Sequence, residues 1–425
     1  MSAGVKELKT LAWLGPLYFT EGLPNAIVGS LSVGYYKSMG MDNATVAALT
    51  SSLYLPWVLK GIWGPVVDSY STKRSWIFFC CGVFFACLAA LSLAQFAASW
   101  VIVTAALFWV FGFASATFDI AADGFYMLAL PPRSQSFFIG FRNAFYRIAV
   151  LFGQGAMMVF AGFAERMFGS IERGWAVSFG ICAATVGLCI PAIKFFMPAA
   201  ECDMPANNAN GRRTLSNIAD AFREFFTKKD IVCILAFVLL YRFAEAQLVR
   251  VVQPFMLDAV SEGGLGMTKE QMGLIYGTIA PIALLLGGFL GGVIISKYGL
   301  ARCIMPYAAA INIPNVIYVY MAAAQPQNAV LNALLISAEQ FGYGLGFSSY
   351  MVFLMWASRG KNRASSYALC TSLMALGMMF PGAFSGAIQV EMGYENFFYW
   401  ILLSTVVSFA VAHSAARLIK KSDAY

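Results

Sequence analysis

Gly64-Pro65-Val66-Val67-Asp68, with Lys73 and Arg74 just beyond it, returns in altered form as Gly292-Val293-Ile294-Ile295-Ser296 with Lys297 and Arg302, an offset of 228 residues. A second landmark keeps nearly the same register. Arg133 ends one apolar stretch, and Arg359-Gly360-Lys361-Asn362-Arg363 ends another 226 residues later. Two landmarks with one spacing indicate two copies of a single structural plan, the internal symmetry of many membrane carriers.

What lies between the landmarks is apolar. Hydrophobic residues make up 60% of the 425 and charged residues 12%, and the mean hydropathy is +0.70; soluble domains run about 45–50% apolar and 25% charged. Apolar runs fall near 11–36, 44–66, 76–97, 101–130, 137–163, 175–197, 230–257, 269–296, 303–323, 328–357, 364–388 and 396–419. Each approaches or exceeds the ~20 residues a helix needs to cross a bilayer. Strict alternation over strands of about ten residues is missing, which excludes a barrel. The expected fold is an all-α polytopic membrane protein, twelve transmembrane helices in two pseudo-symmetric six-helix bundles.

The one polar interruption divides the chain six spans from six. It runs from Pro198 to Asp230 and contains Asn207-Asn208-Ala209-Asn210-Gly211, then Arg212, Arg213, Ile218, Phe222, Phe225 and Phe226. It predicts a linker followed by a short helix on the membrane surface. The expected domains are therefore 1-197, a linker at 198-229, and 230-425. No cleaved leader is expected, because the first apolar run is long and carries Glu21, Gly22 and Pro24 in its middle.

Basic residues fix the orientation. With the termini inside, eighteen Lys and Arg fall in or beside the inner loops, and only Lys37, Arg166, Arg173 and Lys269 fall outside. Both termini are thus expected in the cytoplasm, and the net charge of +7 reflects this bias and not affinity for nucleic acid. Nine cysteines show neither metal-ligand spacing nor paired external loops and read as small packing residues. With one histidine, His413, there is no metal cluster and no nucleophile–base set, so an enzyme, a bound metal and a cofactor are all disfavoured. Trp63, Trp76, Trp100, Trp175 and Trp400 are expected as interfacial belt residues.

Charges within the spans are the candidates for function, since each costs roughly 2.5 to 3.5 kcal/mol at bilayer depth even on the lenient scale. Asp119 and Asp123, four apart, share one helix face, whereas Arg142 and Arg147, five apart, lie about 140° around theirs, so one can face the path while the other braces the helix. Counting about 1.5 Å per residue puts Lys60 and Asp123 about 12 Å deep and Asp119 and Arg147 about 16–18 Å deep, so Lys60 with Asp123 and Asp119 with Arg147 are the expected pairs. Glu21, Arg242, Glu245 and Glu339 also lie near the bilayer centre, with Arg242 and Glu245 three apart, and Arg250 is expected to reach outward toward water. Such pairs can also serve only as helix braces. Gly22-Leu23-Pro24 and the row Gly342, Gly344, Gly346 suggest bendable helices. Gly64 is read as a tight turn and Asp68, with Lys73 and Arg74, as a cytoplasmic latch.

Gly-x-x-x-Asp with following basic residues is similar to the cytoplasmic signature of the major facilitator superfamily. Gly22-Leu23-Pro24, Lys60-x-x-Trp63-x-Pro65-x-x-Asp68, Asp119-Ile120-x-x-Asp123, Tyr146-Arg147, Tyr241-Arg242-x-x-Glu245, Glu339-Gln340-x-Gly342-x-Gly344 and Ser365-Ser366-Tyr367-Ala368-Leu369 together resemble the muropeptide permeases of the AmpG type. The acetyl-CoA transporter branch shares several of these elements. The resemblance covers about residues 14 to 410 and implies proton-driven import of anhydromuropeptides or related amino-sugar compounds across a bacterial inner membrane. A CoA thioester, a siderophore and an oligosaccharide remain alternative substrates. On this reading the partners are a small molecule, protons and lipid, the protein is a monomer, and transport proceeds by alternating access. Lys60, Arg147 and Arg242 are candidates for a carboxylate or phosphate. Asn143, Tyr146 and Gln340 are candidates for sugar hydroxyls and amides, and Glu21, Asp119, Asp123, Glu245 and Glu339 for the proton.

The twelve-span topology is tested by reporter fusions. Fusions after Arg213 and Lys420 should report cytoplasm and insertions at Glu262 and Gln327 the opposite side; one reversed reporter breaks the topology.

Overall fold

The computed structural model describes residues 3–130, 132–198, 223–359 and 363–422. Among them the chain forms twelve helical rods in order: α1 (3–38), α2 (43–70), α3 (Lys73–Ala94), α4 (Trp100–Ala129), α5 (132–168), α6 (Ile171–Phe196), α7 (Ile231–Leu257), α8 (269–298), α9 (Leu300–Ala324), α10 (Ala329–Ala357), α11 (363–392) and α12 (394–422). A helix satisfies its own backbone hydrogen bonds, which hydrocarbon requires. Eight stretches among the described residues are long and apolar enough alone to span a membrane, and the last, Leu369–Lys421, holds two rods. They part at Gly393, whose φ of 75° only glycine adopts without strain. α1, α2 and α10 also have spanning length but carry more polar and small residues.

Local chemistry sets the helix ends. Thr72 accepts from the Ser75 amide to start α3, Ser170 from Arg173 to start α6, and Thr268 with Gln271 forms a reciprocal capping box at α8. Lys228 donates to the carbonyls of Ala357 (2.5 Å) and Arg359 (3.0 Å) at the end of α10, where a cation meets the helix's free carbonyls. Several rods are irregular within. α2 breaks at Leu53-Tyr54, α7 at Tyr241-Arg242, and π turns occupy Ile27–Leu31, Phe152–Ala156 and Ile275–Ile279. Gly64 lies inside α2, which runs on to Tyr70, so the chain turns at Ser71-Thr72 and not at Gly64.

Two compact units result, one of Met1–Tyr35 with Leu59–Leu215, the other of Tyr36–Val58 with Ser216–Tyr425. In the first, Tyr35 sits in a nest of Trp100, Phe108, Trp175 and Phe179 and donates to Gln95 (2.7 Å). Trp175 is fully buried there, and in the second unit Trp400 donates to Gln247 of α7 (2.8 Å). Neither is a belt residue, because each has found a packing or hydrogen-bond partner inside its unit. The second unit's core runs through Phe237, Tyr241, Tyr350 and Phe353. The expected surface helix falls mostly on 199–222, outside the described residues. Of its apolar positions, Phe225 is buried in this core while Phe226 is exposed. Cys80, Cys81, Cys87, Cys182, Cys303 and Cys370 are buried free thiols, as their reading as packing residues requires.

The glycine row of α10 packs where a hinge was expected. A Cβ on Gly344 would lie 2.0 Å from the Leu284 carbonyl of α8, and one on Gly287 would lie 2.1 Å from the Phe341 carbonyl of α10. Gly342 meets the Ala310 carbonyl of α9 in the same way, at 2.3 Å. α10 remains one continuous rod of 29 residues. Gly22 likewise presses α1 onto the Tyr146 carbonyl of α5, at 2.5 Å. Small residues let helix backbones approach, the main packing device where no hydrophobic effect drives helices together.

Gly344→Ala should lower thermal stability in detergent, by about 1–3 kcal/mol or more for an overpacked contact with backbone that has no room to yield. Gly82→Ala, where nothing lies within 4 Å, should be neutral. Heating followed by size-exclusion chromatography measures both, and equal melting points would contradict the packing role.

Candidate functional site

Each unit carries one constellation of buried charge. In the first unit α1 supplies Tyr18 and Glu21, α4 supplies Asp119, Asp123 and Tyr126, and α5 supplies Arg142. The Arg142 guanidinium lies 2.6 Å from Asp123 and 3.9 Å from Glu21. Its face rests on the Tyr18 ring (4.5 Å to the centroid) and, more distantly, on Tyr126 (5.6 Å). Tyr18 donates to Asp123 (3.3 Å). Glu21 is nearly sealed, with 7% of its side chain exposed against 43% for Asp123. Its second oxygen has no hydrogen-bond partner. Asp119 and Lys60 lie close enough to act on the Glu21 charge. One cation is thus shared between two carboxylates of different access to water.

The pairs expected from matching depths do not form. Asp123 pairs with Arg142 and not with Lys60, and among the described residues Arg147 makes no ion pair with Asp119 or any other acid. The helix rotation decides this, since it turns Arg142 toward α1 and α4. Asn143, next to it, is exposed, and Tyr146 and Arg147 are half-buried. Of the latch residues, the Gly64 and Asp68 side-chain positions fall outside the described ones. Lys73 runs its stem over Gly124 of α4, where a Cβ would meet its Cε at 2.9 Å. Arg74 lies over the Phe78 ring, at 5.8 Å.

In the second unit the break in α7 exposes Arg242 to α10. Its guanidinium donates to the Tyr343 hydroxyl and sits against the rings of Tyr343 (5.2 Å), Phe347 (5.1 Å) and Tyr350 (6.0 Å). The expected Arg242–Glu245 ion pair does not form, because the break places Arg242 outside the helical register in which i and i+3 would meet. Glu245 and Glu339 are both buried (4% and 1% exposed) and within electrostatic reach of each other. Glu339 accepts from Tyr318 and Gln340, both at 2.9 Å. One oxygen of each carboxylate has no hydrogen-bond partner. Arg250 does not reach outward: it is 2% exposed, donates to Thr50 (3.3 Å) and stacks on Tyr54 (4.8 Å).

Among the described residues no group of three His, Cys, Asp or Glu could hold a metal ion. A fold of membrane-spanning helices with buried acid and base in both units fits a class, the membrane transporter, and residues 14–382 match the Major Facilitator Superfamily, to which this chain belongs. It is a multi-pass membrane transporter of small molecules, not an enzyme. The chain is 24% identical to Putative transporter AmpG 4 of Rickettsia conorii, over 91% of this chain and 92% of that one. It is also 24% identical to the Anhydromuropeptide permease of Escherichia coli K12, over 92% of this chain and 76% of that one. The fold is similar to that of the nucleoside transporter NupG, with a TM-score of 0.70, 17% identity and coverage of 96% of this chain and 98% of that one. A D-xylose–proton symporter gives 0.69 and 14%, covering 97% of each chain. The permease relatives bear out the resemblance drawn from the sequence motifs.

Arg142→Gln should destabilise the protein more than Arg147→Gln, which loses no ion pair. The cost should stay below the 3–5 kcal/mol typical of breaking a sealed pair, about 1–3 kcal/mol, because water still reaches Asp123. Adding Asp123→Asn to Arg142→Gln should recover part of the loss. Melting points of the four proteins decide, and equal losses for the two arginine variants would remove Arg142 from its central place.

Proposed function

We propose that this chain imports anhydromuropeptides or a related amino-sugar compound together with protons, by alternating access. The observation that carries the reading is Arg142, held at once by Asp123 at 2.6 Å and Glu21 at 3.9 Å. A proton on either acid weakens its hold on the arginine, and the freed donors are available to a substrate carboxylate. Full-length similarity to a relative named as an anhydromuropeptide permease supports the substrate class.

In this scheme Arg142 and Arg242 grip carboxylate, Arg being suited to a bidentate contact. Lys60 and Arg147 add positive field along the path. Gln340, Tyr146 and Asn143 hydrogen-bond amides and sugar hydroxyls. Glu21, Asp119 and Asp123 in the first unit, and Glu245 and Glu339 in the second, carry the proton. Gly64, Asp68, Lys73 and Arg74 form the inner latch. The protein works as a monomer in a bacterial inner membrane with both termini in the cytoplasm, an orientation that follows from the bias of basic residues.

Purified protein in liposomes should concentrate an anhydromuropeptide only when the outside is more acidic than the lumen. Unlabelled anhydromuropeptide, or its disaccharide core, should compete, and acetyl-CoA should not, because a polyphosphate would want several converging bases and the buried bases here are matched by acids. Glu21→Gln and Asp123→Asn should retain binding but lose the response to the gradient. Tight acetyl-CoA binding without effect of amino-sugar ligands would overturn the substrate, and gradient-independent uptake would overturn the coupling.

A further inference from the structure

The three rings against Arg242 stand on α10 at positions 343, 347 and 350, a spacing that keeps them on one helix face. They lie along the flat of the guanidinium, whose central carbon is 5.2, 5.1 and 6.0 Å from their centroids. Two of them send no hydroxyl to it. Phe347 has none, and Tyr350 donates to the Val238 carbonyl of α7 (2.6 Å). Tyr241, next to Arg242 in the chain, also turns its hydroxyl away, to the Gly346 carbonyl (3.3 Å) and Ser349 Oγ (3.0 Å). Among the described residues only Tyr343 reaches the edge of the guanidinium, where its oxygen accepts from Nη2.

Nη2 and Nε point N–H bonds in one direction and together make the side fork of an arginine, the edge that takes both oxygens of a carboxylate. Here the fork is half filled. Nη2 is on Tyr343, while Nε is buried and has no hydrogen-bond partner among the described residues. Nor does any described carboxylate come within ion-pair distance of Arg242, and Glu245 acts on it only from farther off. An arginine kept purely as a helix brace would have both teeth of the fork met, because a bare buried donor forfeits its water without replacement. A single neutral phenol oxygen is also a weaker acceptor than a charged carboxylate with two.

With rings along its face, the guanidinium meets a ligand in its own plane, where a flat carboxylate fits the fork. Among the described residues no second cation sits on these rings, and one cation balances one negative charge, which suits a carboxylate better than a phosphate dianion. Resting on the reading of Arg242 as a carboxylate grip, we propose that Tyr343 is a resident stopper in the side fork of Arg242, and that the ligand of this fork is a monocarboxylate that enters in the guanidinium plane and displaces the hydroxyl. Sugar hydroxyls, neutral like the phenol, do not displace it. The fork therefore selects the acid end of a ligand.

The test is the reactivity of Arg242 toward phenylglyoxal, which adds to guanidinium nitrogens, in the full chain purified in detergent and followed by peptide mapping. Arg302, exposed near the start of α9, sets the reference rate. Tyr343→Phe keeps the ring and removes the stopper. It should speed labelling of Arg242 relative to Arg302 and lower the benzoate concentration that half-protects Arg242, each by about threefold to tenfold, the scale of one net hydrogen bond. Inorganic phosphate should protect less than benzoate in both proteins. Tyr343→Leu, which also lacks the hydroxyl, carries the test if the Phe variant does not fold. Equal half-protecting concentrations with and without the hydroxyl overturn the stopper, and failure of benzoate to protect, or better protection by phosphate, overturns the carboxylate fork. Anhydromuropeptide in place of benzoate separates this from the transport reading. Protection by benzoate but not by anhydromuropeptide overturns the substrate and leaves the fork, whereas uptake of anhydromuropeptide with Arg242 protected by neither compound overturns the fork and leaves the substrate.

Discussion

An arginine carried into hydrocarbon loses its water and stays charged, so the surrounding protein has to replace every hydrogen bond and field that water supplied. That demand shapes the interior of both units. Arg142 is met by two acids and two tyrosine rings, Arg242 by a tyrosine hydroxyl and three aromatic faces, and Arg250 by Thr50 and Tyr54. To place such partners the helices must come close and hold a fixed rotation. The glycines of α1, α8 and α10 provide the closeness, letting backbone carbonyls of one rod touch the next.

The regular helix yields in three of the rods that carry these charges. α7 breaks at Tyr241-Arg242, beside the Arg242 guanidinium. α1 passes into a π turn at Ile27–Leu31, six residues beyond Glu21, and α5 does so at Phe152–Ala156. Gly153 of the α5 turn packs against Ala26 and Leu23 of α1, so the two irregular stretches meet. A π turn adds a residue to the ring and rotates everything after it, which changes the face a helix presents. In α1 and α5 it lets one rod show charge to the interior at one depth and apolar packing at another.

Span lengths, the polar divider at 198–230 and the doubled landmark made the fold legible from the sequence, because hydrocarbon thickness and backbone satisfaction leave few solutions. Which residues are buried charges was legible for the same reason. Their partners were not. Depth, counted along each helix, matched Lys60 to Asp123 and Asp119 to Arg147, but pairing also depends on rotation about the axis, which one sequence does not encode in any countable pattern. Arg142 and Arg147 differ by about 140° on their helix, and nothing in their spacing said which one faces α1. The Gly342, Gly344, Gly346 row carried a second ambiguity. Glycine weakens a helix and also admits a neighbour, and only the positions of the Leu284 and Ala310 carbonyls show that the second use applies.

Aromatic rings offer a different kind of partnership from carboxylates. A ring takes the flat face of a guanidinium and leaves its in-plane N–H donors, five in number, for other acceptors. Around Arg142 one of the nitrogens, Nη2, already lies against Asp123 and near Glu21, so any acceptor approaching that nitrogen competes with protein acids. Around Arg242 the neighbours are mostly faces, and Nε has no hydrogen-bond partner among the described residues. The two units thus solve the same desolvation problem differently, one by shared charge and the other by π surface. The first arrangement sets a cation between two acids, and the second leaves a donor without a partner.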